Sequence, residues 1–382
     1  MKRPELTAVL LLCHLLSSPQ SPPCQPVTTT LSGPAKGLPG IGIKVFNGYS
    51  SHGLSNLSLD WEVTLNGSVV QKGKVPLLAI GPQRSGPVRL PVKMPANPGE
   101  VFLNISYRLK KPESSLPAGC IVAREQLRLR EYVNDLSIHP AGELSFIDEG
   151  GTFTMTSLTT NLNMQFNKQT GWLQHYAMGP RLLAEDSSGL VIDLGQNPAP
   201  PQEPRLQLFS TSTSTDMAVV KADYLIPETP LLLHARYTVN AKGEMQVEQF
   251  LEVDTTQPRD TTAGPSVVKY PPLFGMKWIL PAGPDSVLYY GAASTADNGA
   301  APAADSCHHI PIGLFRPYAD DTATRTDIRW CKFMDGQGHG LLITADSALL
   351  AMHVRNRQLS ITHPYIISGK DNYHYIYKVT PQ

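Results

Sequence analysis

The sequence predicts an all-β protein, a smaller β-sandwich followed by a large two-sheet β-supersandwich. Only 17% of the 382 residues are charged, while 34 prolines and 30 glycines interrupt the chain. This composition suits many short strands joined by turns and works against long helices. Apolar and polar residues alternate strictly in several segments, the period of a strand with one face buried. Lys plus Arg and Asp plus Glu stand at 32 each, so no net field draws nucleic acid or holds the chain on acidic lipid. A neutral partner is expected.

Residues 1–24 read as a leader. Lys2 and Arg3 precede an apolar run over 6–16, followed by small and turn-forming residues over 17–23. The run is too short to cross a bilayer of about 30 Å at about 1.5 Å per residue. A secretory signal is therefore expected, with a secreted or periplasmic product. If the stretch is an accidental apolar start, the product is cytoplasmic. No later segment is long and apolar enough to suggest a membrane span.

A polar stretch rich in Thr, Gly and Pro follows, with strands expected from about Ile41. Leu57, Leu59, Trp61, Val63 and Leu65 alternate with Ser58, Asp60, Glu62 and Thr64, so one face of this strand enters a core. Asn66-Gly67 tolerates the positive φ angles of a type I′ turn and should reverse the chain into a strand over 69–75. Val101, Leu103, Ile105, Tyr107 and Leu109 repeat the alternation, and 121–129 supplies a further strand. About seven strands in roughly a hundred residues point to an immunoglobulin-like sandwich over 25–130. Periodicity fades over 131–150, a linker containing Pro140 and Gly150.

The second domain, 151–382, resumes alternation at Leu162, Met164 and Phe166 and turns at 168–171. Leu231, Leu233, Ala235, Tyr237 and Val239 form a strand that Ala241-Lys242-Gly243 turns back into Met245–Val253. Near the end, Tyr373, Tyr375, Tyr377 and Val379 share a face. These strands are too many for one small sandwich, hence the two-sheet supersandwich. The stretches 198–204 and 292–304 read as loops. Cys24, Cys120, Cys307 and Cys331 are widely spaced and include no C-x-x-C pair. They leave open a Cys307–Cys331 disulfide or buried free thiols.

Several segments resemble the carboxyl-terminal end of glycoside hydrolase family 2 β-galactosidases. Gln25-Pro26-Val27, Ile43-Lys44-Val45-Phe46-Asn47, Leu59-Asp60-Trp61-Glu62 and Val70-Gln71-Lys72-Gly73 are similar to the immunoglobulin-like domain that follows the family's barrel. So are Pro117-Ala118-Gly119, Ala123 and Gln126. Phe166-Asn167-Lys168, Thr170-Gly171, Tyr289-Tyr290-Gly291, Ile312-Gly313-Leu314-Phe315 and Gly340-Leu341-Leu342 resemble the last domain, the small chain. Arg325-Thr326-Asp327-Ile328-Arg329-Trp330 is the most specific piece. The family's catalytic glutamates lie on a barrel of about 250 residues, and only some 24 residues precede the first matching segment. The resemblance thus implies a non-catalytic portion, and no catalytic residue is expected here. Two family tracts are replaced, around 197–205 and over 292–298, and the one that brings a Trp toward the sugar is missing between Tyr365 and the last strand.

Glycoside hydrolysis needs two carboxylates about 5–10 Å apart; adjacent Asp320-Asp321 face opposite ways on a strand and read as a solvated loop pair. Glu125 reads as a surface partner of Arg124 or Arg128. His308-His309 beside Cys307 suggest a metal, but no second ligand pair stands at a zinc spacing, so no metal and no cofactor are expected. Gly336, Gly338 and Gly340 precede a strand, not a helix, and read as a hairpin turn instead of a phosphate cradle. Asn56, Asn66 and Asn104 open N-x-S triplets, which matter only in a eukaryotic secretory pathway.

A sugar site on a sandwich combines an aromatic face with polar side chains. Tyr289, Tyr290, Asn298, Arg325, Arg329 and Trp330 are the carbohydrate-binding candidates, against the plainer reading of core aromatics and a strand-bridging arginine. The expected role is a carbohydrate-binding or scaffold module of a β-galactosidase-like hydrolase, whose partners are a galactoside-type glycan and a separate barrel-bearing chain. The alternatives are a self-sufficient epimerase- or lyase-like enzyme on the supersandwich, by fold analogy alone, or an inactive gene fragment.

Overall fold

The computed structural model describes residues 26–32, 40–193, 204–227, 231–253, 273–282, 286–292, 312–315, 324–346, 349–355, 357–362 and 372–382. The leader, Asn298, Cys24, Cys307, His308, His309, Asp320 and Asp321 lie outside them, as do most of both expected loops. Among the described residues the structure is all β, with a single 3-10 turn at Leu54–Asn56 and antiparallel strand pairs such as Val27–Leu31 with Ile41–Asn47 and Leu231–Asn240 with Met245–Val253. No helix among them is long and apolar enough to cross a membrane.

Seven strands come first. Val27–Leu31 (β1), Ile41–Asn47 (β2) and Ser85–Leu90 (β5) form a three-stranded sheet in the order β1-β2-β5. Leu57–Leu65 (β3), Ser68–Val75 (β4), Val101–Leu109 (β6) and Ile121–Arg130 (β7) form a four-stranded sheet in the order β4-β3-β6-β7. Strand β1 falls in the stretch that reads as a polar linker. Its β-branched residues favour extended backbone, Val27 and Thr29 are buried, and Thr29 Oγ1 lies 2.6 Å from Tyr107 Oη. On β3 the apolar residues from Leu57 to Val63 are buried as the alternation requires. Ser58 and Thr64 of the polar set are buried too, small side chains shaded by larger neighbours on an interior strand.

The chain divides into two compact units, one within 1–60, 74–91 and 106–124, the other within 61–73, 92–105 and 125–382. In the first, Ile43, Val45, Leu54, Leu59, Leu90 and Tyr107 are fully buried. Removing an aliphatic side chain of this size from water contributes about 1.5–3 kcal/mol.

The second unit contains three further sheets. Ser145–Glu149 (β8), Thr152–Ser157 (β9), Leu162–Asn167 (β10), Leu173–Met178 (β11) and Arg181–Ala184 (β12) form a meander. Strand β8 occupies the end of the stretch read as a linker. Gly189–Asp193 (β13), Leu273–Ile279 (β18), Arg325–Ile328 (β21), Leu350–Arg355 (β24) and Gln358–Thr362 (β25) form a second five-stranded sheet, ordered β13-β18-β25-β24-β21. The largest sheet has nine strands. Arg205–Thr213 (β14), Met217–Leu225 (β15), Leu231–Asn240 (β16) and Met245–Val253 (β17) run in sequence, then Asn372–Pro381 (β26), Gly340–Ala345 (β23), Trp330–Met334 (β22), Ser286–Tyr290 (β19) and Ile312–Phe315 (β20).

One face of the nine-stranded sheet shares a continuous core with both five-stranded sheets. Phe166 of the meander meets Tyr237 at 5.1 Å between ring centroids, and Phe274 of the other sheet meets Tyr375 at 5.3 Å. Three polar tips in this core find partners inside: Tyr176 donates to Gly243 O at 2.6 Å, Tyr375 donates to Gln249 Oε1, and Trp278 Nε1 donates to Tyr377 Oη at 3.3 Å. Burial holds the phenols of Tyr176, Tyr375 and Tyr377 well above their usual range, so they stay neutral donors.

Asn66 and Gly67 both take positive φ, 49° and 86°, the type I′ geometry predicted for the β3–β4 hairpin. Gly67→Ala places a Cβ in the left-handed region and should lower unfolding stability by about 1–2 kcal/mol, read from the urea midpoint at unchanged slope.

Candidate functional site

A glutamate at the start of β6 leads to the chemistry of this chain. Three interactions shape the segment before it. Arg130 of β7 donates from Nε to Gly99 O at 2.6 Å, from Nη1 to Pro95 O at 3.0 Å and from Nη2 to Asn97 O. Asn66 clasps the next residue on both sides: its N–H donates to Glu100 O at 2.9 Å, and its Oδ1 accepts from Glu100 N at 2.8 Å. Gly99, at φ 128°, lies so close to Asn66 that a Cβ would stand 2.3 Å from its Nδ2.

So held, the Glu100 carboxylate is wholly buried, within the second unit, against Arg329 and Tyr290. Arg329 donates from Nε to Oε2 at 2.8 Å and from Nη2 to Oε1 at 2.7 Å, a two-pronged pair. Tyr290 Oη donates to Oε2 at 2.7 Å. Arg329 Nη1 donates to Asp327 O at 2.6 Å, and the guanidinium lies 5.5 Å from the Tyr290 ring centre. Burial first, then the hydrogen bond to Glu100, pushes the Tyr290 phenol far above its usual value, so it remains a donor.

The backbone explains why Arg329 sits here. The segment 325–330 is the corner at which the chain leaves the five-stranded sheet after Ile328 and enters the nine-stranded sheet at Trp330. A bulge shifts the register between Arg325 and Ile328, and Asp327 takes φ 53°. Arg329, between the two strands, donates from its N–H to Tyr290 O at 2.8 Å and accepts from Ala345 N at 2.8 Å. Tyr132 Oη adds a bond to Arg329 O at 3.1 Å. Gly291 completes the corner, because a Cβ there would stand 2.5 Å from Ile328 Cδ1.

The carbohydrate candidates divide accordingly. Tyr289 faces the core, with the buried Arg325 guanidinium 5.3 Å from its ring centre. Tyr290 points to the opposite sheet face with Arg329, and Trp330 packs beside it at 6.3 Å. Asn298 is outside the described residues. Cys331 is a fully buried free thiol whose pKa burial raises, and Cys120 is also free. Among the described residues no three His, Cys, Asp or Glu side chains group closely enough to hold a metal ion. Arg128 pairs with Glu131, its Nε 4.0 Å from Glu100.

Two features escape sequence reasoning. Glu100 is a lone acidic residue ahead of an alternating strand, and its one signal is the unmatched arginine of the 325–330 motif. The second is a histidine row on the outward face of the nine-stranded sheet: His234 Nδ1 lies 2.7 Å from Asp223 Oδ1 and its Nε2 3.3 Å from Glu252 Oε1, while His374 Nε2 lies 2.9 Å from Glu248 Oε1.

Fold and site define a class: an all-β chain of antiparallel sheets with an ion pair buried inside its second unit. Residues 43–130 match the family model described as Beta-galactosidase, domain 4, and residues 159–378 the model described as Beta galactosidase small chain. The second match covers more than half of the chain, which belongs to the β-galactosidase small chain family. A β-galactosidase of Priestia megaterium is 25% identical over 344 residues, 84% of this chain and 31% of its own length. A β-galactosidase of Vibrio vulnificus is 28% identical over 128 residues, 32% of this chain and 12% of its own length. The chain thus spans less than a third of either relative. Among solved structures, galactose 1-epimerase from Lactobacillus acidophilus NCFM aligns with a TM-score of 0.40 at 11% identity, covering 63% of this chain and 99% of that one.

Removing one partner of a buried ion pair leaves an uncompensated charge. Arg329→Met or Glu100→Leu alone should therefore cost about 3–5 kcal/mol of stability, and the double variant should recover most of that loss. Chemical denaturation of the three proteins measures it; additive losses would show that the pair does not act as a unit.

Proposed function

We propose that this chain is the non-catalytic carboxyl-terminal portion of a glycoside hydrolase family 2 β-galactosidase-like enzyme, a scaffold serving the hydrolysis of β-galactosides when joined to a catalytic barrel. The observation that carries the reading is order: a domain 4 region is followed on one chain by a small chain region, and Glu100 of the first is buried against Arg329 and Tyr290 of the second. Within this reading the domains run 25–130 and 151–382 about the 131–150 linker, with residues 1–24 directing export.

Tyr290 and Arg329 serve assembly here, because Glu100 and the Asp327 carbonyl occupy their polar atoms. Tyr289 and Arg325 serve the core, which leaves Trp330 and Asn298 as the sugar contacts of the original six. Two relatives that bear the name β-galactosidase support the reading.

The experiment uses the full chain as bait in extracts of its source cells. A barrel-bearing β-galactosidase polypeptide should co-purify, and the captured assembly, unlike the isolated chain, should hydrolyse o-nitrophenyl β-D-galactoside. Hydrolysis by the isolated chain, abolished by changing one of its own carboxylates or histidines, would overturn the reading. So would capture without any barrel-bearing polypeptide.

A further inference from the structure

The outward face of the nine-stranded sheet is covered unevenly within the second unit. At one end Tyr290 is closed over by Glu100, and Tyr132 donates to the carbonyls of Arg329 and Ala345. The chain then crosses neighbouring strands: Gln246 Nε2 donates to Leu136 O at 3.0 Å and Asn240 Nδ2 to His139 O at 2.9 Å. These contacts account for the burial of Asn240 and Thr238 on a face that alternation assigns to solvent. Past them, the described side chains on this face are partly exposed.

Beyond lies a single rung of paired residues, Asp223–His234–Phe250–His374, one from each of four adjacent strands. Strands lie about 4.8 Å apart, so the rung is about 14 Å long. Its centre is an aromatic ring, Phe250, with the His234 ring 5.9 Å away. Carboxylates surround it: Asp223 and Glu252 at His234, Glu248 at His374, with Arg236 Nη1 3.9 Å from Glu248. The three carboxylate side chains are 31–37% exposed, and those of His234 and His374 33% and 49%.

We propose that this rung is a binding surface for a neutral pyranose, a deepening of the β-galactosidase-module reading on which it rests. Phe250 offers the flat apolar surface that a sugar's C–H face covers. An ionised carboxylate has about four lone-pair sites, and Asp223, Glu248 and Glu252 each keep acceptor capacity for hydroxyl protons after holding an imidazole. The imidazoles stand braced on both sides of the ring, so the polar groups are oriented before a ligand arrives.

Methyl β-D-galactopyranoside titrated into the full chain, followed by amide chemical shifts, tests the assignment. Saturable shifts are expected at His234, Phe250 and His374, and Phe250→Ala or His374→Ala should weaken the affinity about tenfold. Thermal midpoints identify a variant that fails to fold; His374→Ala and Glu248→Gln change partly exposed side chains and keep the test intact if Phe250→Ala unfolds. Binding that these variants leave undiminished would overturn the surface, as would absence of saturable shifts. Either result beside co-purification of a barrel-bearing chain sinks the surface alone and leaves the module reading standing.

Discussion

The carboxylate of Glu100 is fully buried, and much of the surrounding architecture answers that constraint. A buried charge is tolerated only with a well-placed counter-charge and its remaining lone pairs filled. Here the counter-charge is Arg329, the extra donor is Tyr290, and both stand more than 180 residues further along the chain. Arg130, Asn66 and Gly99 fix the carboxylate from its own side. The sheet-switching corner at 325–330 fixes the guanidinium from the other. A pair of this kind adds little net stability over an apolar contact of the same shape, yet it penalises misplacement heavily. Its effect is to constrain geometry.

Much of the fold is legible from local chemistry. Strands β3, β6 and β16 follow their alternation, and the Asn66-Gly67 turn adopts the backbone its residues favour. Strand β1 is not legible, because three threonines look like a polar linker until Tyr107 supplies a partner for Thr29. Strand β8 is hidden likewise: its residues are mostly exposed on a sheet edge and carry no alternation to read. Composition and period describe one strand at a time, whereas these two exist because of their neighbours.

The candidate site is less legible, for the same reason. Tyr289 and Tyr290 are both buried, a pattern that suggests one aromatic patch, yet adjacent strand residues face opposite ways and have different roles. Arg325 and Arg329 split in parallel, one over a core ring and one onto Glu100. The histidine row on the outer face is invisible without register, since Asp223, His234, Phe250 and His374 become neighbours only when four strands align. A motif can mark a place of importance without revealing whether it holds a ligand or a sheet.

If the Glu100–Arg329 pair governs the second unit, the segment that carries Glu100 cannot open without breaking the corner that carries Arg329. Native-state hydrogen exchange measures this directly, by comparing the opening free energies of amides in 101–105 with those of Cys331 and Ile343. The account predicts equal values, set by one cooperative unfolding event. Amides in 101–105 that exchange through a separate opening several kcal/mol lower would contradict it.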